Sequence, residues 1–323
     1  AVDDYKKQGI NKVILLSHCG LTKDKRLATE TSGIDVIIGG HTHDLLKDIK
    51  EGENLLYSKS NEPVIITQAG KDGEYFGDLK ITWDDEKGII VKAQNNVTST
   101  GIFKRNRVMK GVFDQILGKP EHLGEVKFAC GPAKDRLIDP NPNAFIIMDA
   151  VRKELGTDLA IINAGNIRGF FEAGPLDSRQ VFEVVPLKNN MVTLKLTEKE
   201  IVDALKVGAK SYTDPGHKPG IIMPSGLKYT VSRTGELKSA TFLDKSGKEI
   251  PIDVNNPSTT KTYTVATDDF FASGGDKLIS NKIEKDEIDE KFNFDKDKST
   301  CDYIKKLNAP IELKDDGRIT IVD

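Results

Sequence analysis

Three histidines near the start of the chain have the residue type and spacing for metal chemistry. His18 ends the apolar run in "LLSHCG", and His41 and His43 follow an apolar run and two glycines in "DVIIGGHTHD". If both runs are strands of one parallel sheet, their carboxyl ends meet at one edge and bring His18 and His41 side by side. Neutral imidazoles suit Zn, Mn, Fe or Co. A single histidine at a strand end is more often just a hydrogen-bonded polar residue, so it is the convergence of all three that favours a metal site.

A second set of polar and aromatic residues follows two other apolar runs. Arg168 comes after "DLAII" in "NAGNIRG", where an arginine suits bidentate contact with a phosphate or a carboxylate. Pairing with a structural acid is an equally open alternative for Arg168. Phe270, Phe271 and Asp276 stand in "TDDFFASGGD". One phenylalanine is expected in the core, and the other could stack on a nucleobase, because every base has a π-face. The residues alone favour the core for both.

The elements that must position the histidines form an alternating pattern. The runs "KVILLS" and "DVIIGG" flank the charged stretch "TKDKRLATET", which predicts a βαβ unit with parallel neighbouring strands. The runs "PVIITQAG", "GDLKITWD" and "GIIVKAQNNV" then predict antiparallel strands. Apolar residues at near-helical spacing predict a linker helix over residues 103–120.

The rest of the chain, residues 121–323, is expected to form a second domain. "NAFIIMDAVRKELG" predicts a helix that ends at Gly156, and "DLAIINAG" predicts a buried strand. Thr197 and Glu200 have the spacing of a capping box at the start of another helix. Residues 282–299 mix both charge signs, which is typical of a solvated surface segment.

Composition limits the functional class. The chain has 323 residues, with 37% hydrophobic and 30% charged residues, as in soluble globular proteins of two domains. A net charge of −3 gives no general attraction to a nucleic acid polymer or an anionic membrane. No apolar run approaches the roughly 20 residues of a membrane span. The three cysteines are far apart without a CxxC pair, which indicates neither a disulfide framework nor a cysteine metal site. The polar start "AVDDYKKQGINK" does not look like a signal peptide.

Four motifs together resemble one known family. "SHCG" followed by "DVIIGGHTHD" resembles the last two metal-binding motifs of the calcineurin-like metallophosphoesterases. "INAGNIRGFFEAGPLDSRQVFEVVPLKNNMVTLKLTEKEI" and "FFASGGD" resemble the signatures of the 5′-nucleotidase C-terminal domain. The resemblance implies an α/β (α+β) fold. Residues 1–102 would form part of a metallophosphoesterase β-sandwich with flanking helices, and residues 121–323 would form the C-terminal substrate-binding domain.

The resemblance also implies a cofactor. Two divalent ions (Zn, Mn, Fe or Co) would act in the intact protein, with His18 and His41 as ligands of one ion and His43 as a ligand of the other. The family's Asp-x-His motif, its bridging aspartate and its Asn-His motif with the catalytic His–Asp pair have no counterpart in this sequence. We therefore expect a fragment without catalytic residues, with weak or absent metal binding and no hydrolysis by itself.

The substrate side is more complete. By resemblance, Arg168 contacts the substrate phosphate, and Arg136 lies near the position of an earlier phosphate-binding arginine. Asn189 matches an asparagine that contacts the base, Phe270 matches one face of an aromatic clamp around the base, and Asp276 matches the aspartate that holds the ribose hydroxyls. One departure concerns the second aromatic of that clamp, because Leu187 stands where the family usually has it. The loss of ring–ring contact costs roughly 0.5–1.5 kcal/mol.

The resemblance predicts a function in nucleotide catabolism, outside the cytoplasm (secreted, periplasmic or in the cell wall). The intact protein would hydrolyse nucleoside phosphates to nucleoside and phosphate, with a nucleoside or nucleotide as its ligand. Two alternatives stay open. One is a 2′,3′-cyclic-nucleotide 2′-phosphodiesterase with 3′-nucleotidase activity, and the other is a nucleoside-binding module without catalysis.

Overall fold

The computed structural model describes residues 2–103, 107–214, 219–282 and 295–323. The chain divides into two units, an N-terminal unit (Ala1–Leu117) and a C-terminal unit (Gly118–Asp323). Both mix helices and strands, as the α/β prediction requires. Within the described residues, no helix is both long and apolar enough to cross a lipid bilayer.

The N-terminal unit is built around a four-stranded sheet with the strand order β1-β2-β4-β3. A two-stranded antiparallel sheet, β5-β6, accompanies it. In chain order the elements are α1 (Val2–Lys7), β1 (Ile14–Leu16), α2 (Leu21–Glu30), β2 (Val36–Ile38), β3 (Leu55–Tyr57), β4 (Pro63–Thr67), β5 (Tyr75–Asp84), β6 (Ile89–Ser99) and α3 (Arg107–Leu117).

The alternation of side chains along β2 and β4 explains how this sheet is covered on both faces. Ile37 and Val64 are buried in one cluster with Ala28 of α2. Val36 and Ile65 point to the opposite face and are buried with Ile90 of β6. One face therefore carries a helix and the other carries the β5-β6 sheet, which is the arrangement of a partial β-sandwich with a flanking helix.

The predicted βαβ unit is confirmed, and one strand direction was predicted wrongly. β1 and β2 are parallel, with Ile14 opposite Val36. "PVIIT", predicted as antiparallel after this pair, forms β4, which is parallel to β2. The antiparallel partner of β4 is β3, a short strand that the sequence pattern did not reveal. β4 therefore lies inside the sheet, where an all-apolar run is buried on both faces. β5 and β6 are antiparallel as predicted.

The helix in the segment predicted as a linker is α3. It spans Arg107–Leu117 and ends where the boundary between the two units falls. Residues 104–106 of that segment lie outside the described residues.

The C-terminal unit contains three sheets, with the strand orders β10-β15-β8-β11, β14-β13-β12-β17 and β16-β7-β9. Its elements are β7 (His122–Phe128), α4 (Pro142–Leu155), β8 (Leu159–Asn163), β9 (Gly174–Asp177), α5 (Ser178–Val184), β10 (Met191–Thr197), α6 (Glu198–Ala209), β11 (Ile222–Ser225), β12 (Leu227–Ser232), β13 (Leu237–Leu243), β14 (Glu249–Ile252), β15 (Thr262–Asp268), α7 (Asp269–Ala272), α8 (Lys296–Leu307), β16 (Ile311–Glu312) and β17 (Ile319–Val322).

Local signals set several of these elements. The predicted helix α4 begins with Pro142 after the Asn141 cap, and it ends at Gly156, whose φ of 63° is left-handed. The predicted capping box at α6 is present, because the Thr197 hydroxyl accepts from the Glu200 N–H and the Glu200 carboxylate accepts from the Thr197 N–H. β8 is buried along its whole length, as predicted.

The prediction for residues 282–299 was wrong over its last part. α8 begins at Lys296, and both Lys296 and Ser299 are buried in the C-terminal unit. Residues 283–294 lie outside the described residues. A mixed-charge pattern is typical of a solvated segment, and it does not reveal a lysine whose ammonium group has buried partners.

Candidate functional site

The sheet β10-β15-β8-β11 brings the predicted substrate residues to one edge. β8 and β15 are parallel, so their carboxyl ends, at Asn163 and Asp268, lie at the same edge. β10 is antiparallel to β15, and its first residue, Met191, pairs with Asp268. The segment before β10 and the segments after β8 and β15 therefore meet there. These segments carry Asn189, Arg168, Phe270 and Asp276.

Asn163 at the end of β8 holds Asp276 in place. Its side-chain amide donates to Asp276 Oδ2 at 2.8 Å and to the Pro219 carbonyl at 3.1 Å. Its carbonyl oxygen accepts from the Asn166 side chain at 2.5 Å. Asp276 has a left-handed φ of 54°. Its carboxylate is thereby fixed at the sheet edge. The sequence pattern predicts Asn163 at the carboxyl end of its strand, but it does not predict the bond to Asp276, which is 113 residues away in the chain.

Asn189 is tied to the residue that follows β15. Its side-chain amide donates to Asp269 Oδ1 at 3.0 Å, and the Asn190 N–H donates to Asp269 Oδ2 at 3.1 Å. The amide oxygen of Asn189 takes no part in this contact. The sequence motifs did not predict this contact between Asn189 and Asp269.

The two phenylalanines after β15 have different environments. Phe271 is fully buried, whereas Phe270 is 42% exposed. Leu187, where the second clamp aromatic was expected, is 38% exposed. Gly275 lies against Phe270, since a Cβ atom on Gly275 would be 2.5 Å from the Phe270 carbonyl oxygen and 2.7 Å from its ring. The Phe271 ring is therefore part of the core, whereas the Phe270 ring lies at the surface against Gly275. A ring that stacks on a base must be accessible in this way.

Arg168 lies on the segment that follows β8, and Arg136 lies beside that segment. The Arg136 guanidinium donates to the Gly165 carbonyl at 3.0 Å. The backbone N–H of Arg168 donates to the Val184 carbonyl at 2.8 Å, and its side chain is exposed. Gly169 beside it is packed against the Glu183 carbonyl, where a Cβ atom would be 2.9 Å away. Among the described residues, no acid forms a salt bridge with Arg168.

The carboxylate of Asp268 is buried at the same edge of the sheet. Asp268 ends β15 and accepts the Phe271 N–H through Oδ1 at 2.7 Å, which caps α7. Its Oδ2 has no hydrogen-bond partner among the described residues. Burial raises the pKa of Asp268, because the charged form is poorly solvated there.

The histidines occupy the carboxyl ends of β1 and β2 in the N-terminal unit. The His18 and His41 rings are 5.4 Å apart between centroids and nearly perpendicular, at 77°. His41 and His43 both have positive φ, at 74° and 61°. A Cβ atom on Gly40 would be 2.8 Å from His18 Nδ1, so the glycine leaves room for that ring.

His18 and His41 are adjacent, as predicted from the strand order, but these two residues do not make a complete metal site. Two imidazoles at this separation are suited to supply two of the ligands of one metal ion. Over the described ranges, no group of three or more histidine, cysteine, aspartate or glutamate residues is arranged to hold a metal ion. The donor set present therefore fits the implied pair of ions only in part.

Comparison with known proteins finds similarity to 5′-nucleotidases. The model of the 5′-nucleotidase C-terminal domain matches residues 138–281. The trifunctional nucleotide phosphoesterase protein YfkN of Bacillus subtilis is 27% identical over 97% of this chain and 22% of its own length. The 5′-nucleotidase of Rattus norvegicus is 23% identical over 95% of this chain and 58% of its own length. Residues 138–281 therefore match the 5′-nucleotidase C-terminal domain, and the chain is similar to nucleotide phosphoesterases and 5′-nucleotidases over almost its whole length.

A solved structure shows the same fold. The 5′-nucleotidase precursor from Thermus thermophilus superposes with a TM-score of 0.69 at 24% identity, covering 100% of this chain and 66% of that chain. The chain spans less than two thirds of the length of each of these three relatives.

Proposed function

We propose that this chain supplies the nucleoside-binding part of a nucleotide phosphohydrolase of the 5′-nucleotidase type. The observation that carries the proposal is the meeting of Asn189, Phe270 and Asp276 at one edge of the sheet β10-β15-β8-β11. Similarity to 5′-nucleotidases supports the substrate class, and the intact protein would release nucleoside and phosphate.

Each of these residues has a physical role in the proposed complex. The exposed Phe270 ring stacks on the base, a contact that contributes roughly 1–3 kcal/mol. The Asp276 carboxylate accepts hydrogen bonds from the two ribose hydroxyls, in an orientation that Asn163 fixes. Asn189 presents its amide oxygen to the base while Asp269 holds its nitrogen. Arg168, with its exposed guanidinium, binds the phosphate, and Arg136 stands beside the same segment.

The metal chemistry is proposed for the intact protein only. A pair of divalent ions polarises a phosphate and supplies a hydroxide nucleophile at neutral pH. In this chain His18 and His41 would hold part of one ion and His43 part of the other. Because the donor set is incomplete among the described residues, we propose that the chain by itself binds metal weakly or not at all and does not hydrolyse AMP.

The ribose contact gives the sharpest test of the nucleoside site. Wild-type chain should bind adenosine more tightly than 2′-deoxyadenosine, since one hydroxyl bonded to Asp276 is missing from the deoxynucleoside. The variant Asp276→Asn keeps the bond from Asn163 but weakens the ribose contact, so this discrimination should shrink. We expect adenosine affinity on the order of 0.1–1 mM by ligand-observed NMR. Equal discrimination by both proteins would overturn the ribose role of Asp276.

The metal proposal has its own test. Elemental analysis after dialysis against trace zinc should find well under two metal ions per chain, and AMP should not be hydrolysed. A variant with His18→Ala and His41→Ala controls for adventitious metal. Two ions per wild-type chain together with metal-dependent AMP hydrolysis would contradict both statements and would also exclude a non-catalytic binding module.

The cyclic-nucleotide alternative has one specific observation in its favour. Leu187 replaces a clamp aromatic and is 38% exposed, so the base is held less tightly and other phosphoesters can be accommodated. The broad name of the Bacillus subtilis relative, a nucleotide phosphoesterase, is compatible with that range. Competition between adenosine 2′,3′-cyclic phosphate and AMP for the site would distinguish the two specificities.

An extracytoplasmic location is part of the proposal. A 24%-identical relative is named as a 5′-nucleotidase of snake venom, from Macrovipera lebetinus, which supports it by analogy.

A further inference from the structure

Lys296, the first residue of α8, is a lysine in the interior of the C-terminal unit. Its side chain is 1% exposed, among the most buried large side chains of the described residues. Burial lowers the pKa of its ammonium group, because the charged form loses hydration. An apolar side chain would cover the same position without that cost. What the lysine adds is therefore a hydrogen-bond donor and a positive charge.

The donor is used on the segment that precedes β10. Lys296 Nζ donates to the carbonyl oxygen of Leu187. The next residue of that segment is held by the same turn of α8, since Lys188 Nζ contacts Asp297 Oδ2 at 2.7 Å. Two consecutive residues are thus attached to the start of α8, one through its backbone and one through its side chain.

The other end of the same segment is attached to the end of β15. Asn189 donates to Asp269 through its side chain, and Asn190 donates to Asp269 through its backbone N–H. Residues 187–190, here called the base loop, are therefore held between α8 on one side and Asp269 on the other. The base loop includes both Leu187 and Asn189, the two residues assigned to the base.

The positive charge of Lys296 interacts electrostatically with several carboxylates. The aspartates around Lys296 are Asp268 and Asp269 at the end of β15, and Asp295 and Asp297 at the start of its own helix. Asp268 is fully buried and caps the short helix that carries Phe270. One ammonium group thus offsets the charge of the carboxylate that caps the helix carrying Phe270, and it donates to the backbone of Leu187. Phe270 and Leu187 are the two hydrophobic side chains proposed to contact the base.

We propose that Lys296 is a positioning residue of the nucleoside site: it holds the base loop in the orientation in which Leu187 and Asn189 contact the base. This inference rests on the proposed nucleoside site for its ligand, although the attachment of the loop can be measured without one. The alternative is that Lys296 only stabilises the core.

A double variant separates positioning from stability. Lys296→Met alone leaves Asp268 buried without its positive partner, so global unfolding could mask any local effect. Combining Lys296→Met with Asp268→Asn removes both charges, and asparagine still caps α7. The matched control is Lys306→Met in the same helix, where the lysine is exposed and its ammonium group is 3.8 Å from Glu154.

The measurements are amide hydrogen exchange of the base loop without ligand and the affinity for adenosine. In the double variant the Asn190 amide should exchange faster, while the core amide of Ile162 should keep its wild-type protection. Adenosine should bind roughly three- to tenfold more weakly, because two side chains must be ordered again on binding. The control should match wild type in all three readouts.

Each outcome is decisive. Unchanged exchange at Asn190 in the double variant overturns the inference, and so does an equal loss of protection at Ile162, which would show a purely structural role. If wild-type protein does not bind adenosine but the base loop still loses protection in the double variant, the proposed nucleoside function fails while the positioning of the loop by Lys296 stands.

Discussion

At the scale of single residues, the two adjacent phenylalanines after β15 offer a direct comparison. Phe270→Ala removes an exposed ring and should weaken adenosine binding about tenfold with little effect on stability. Phe271→Ala empties a buried site and should reduce the free energy of unfolding by about 3–5 kcal/mol. Ligand-observed NMR and urea unfolding of the two variants measure the two effects. Equal adenosine binding by wild type and Phe270→Ala would show that another surface holds the base.

The buried carboxyl group of Asp268 gives the stability a pH dependence, which the charge of Lys296 moderates. Burial raises the pKa of Asp268 above its ordinary value of 3.8, and the charge of Lys296 opposes that rise. Between the unfolded and folded pKa values the native state binds more protons than the unfolded state, so stability falls as pH increases. In Lys296→Met the opposing charge is gone, and the pKa of Asp268 rises further.

As the pH is raised above about 4, the free energy of unfolding should fall in both proteins. In Lys296→Met we expect this fall to extend over a wider pH range than in wild type. Native-state hydrogen exchange of β8 amides, measured at several pH values, reports this loss. Adding Asp268→Asn should abolish the extra pH dependence. If the dependence persisted in the double variant, a different carboxylate would have to be its source.

The sequence motifs contain the residues proposed to contact the nucleoside, but they do not show how those residues are oriented. Asn189, Phe270 and Asp276 stand in recognisable motifs, but the hydrogen-bond partners that orient them cannot be assigned from those motifs. Asn163, Asp269 and Lys296 act through hydrogen bonds between segments that are far apart in the chain. A motif records residue types along the chain, whereas these bonds depend on which strand ends meet.

At the scale of elements, a single glycine determines where Phe270 can lie. Gly275→Ala would place a Cβ atom 2.5 Å from the Phe270 carbonyl oxygen, so the helix α7 or the turn after it must move. We expect a destabilisation of about 1–3 kcal/mol and weaker adenosine binding, because overpacking displaces the ring. Gly111→Ala in α3 is the control, as no atom of the described residues lies within 4 Å of its Cβ position. That change should stabilise α3 by up to about 1 kcal/mol. Unaltered adenosine affinity in Gly275→Ala would mean that the ring does not depend on this contact.

Elements with local signals were predicted correctly, and those that depend on distant partners were not. Gly156 ends α4 and Thr197 begins α6 through contacts within a few residues. The position of β4 inside its sheet depends on β3, which is only three residues long. The burial of α8 depends on partners more than 100 residues away in the chain, such as Leu187. Local propensity cannot encode either of these.

At the scale of the whole chain, the apolar cores are contained within single units. The described residues form three buried clusters: the largest lies in the C-terminal unit, and the two small ones lie in the N-terminal unit. Hydrophobic stabilisation grows with the area buried, so the C-terminal unit should be the more stable of the two.

This difference predicts two unfolding transitions. Trp83 is the only tryptophan of the sequence and packs against a small cluster of the N-terminal unit, so its fluorescence reports on that unit. In urea, the fluorescence transition should precede the main loss of far-UV circular dichroism. A protein of residues 118–323 alone should keep the later transition and bind adenosine with the affinity of the whole chain. Coincident transitions, or loss of adenosine binding in the shorter protein, would show that the units depend on each other.

The attachment of the base loop to α8 also has a consequence for biosynthesis. The loop, β8 and β15 are all translated before α8 and β17, so during synthesis the sheet edge exists before the helix that fixes its loop. A nascent chain whose Lys296 has not yet left the ribosome holds Asp268 without its countercharge and Leu187 without its donor. Full affinity for a nucleoside is therefore among the last properties that the C-terminal unit acquires. A premature stop codon between Asp276 and Lys296 would lower this affinity while leaving every predicted contact residue in the chain.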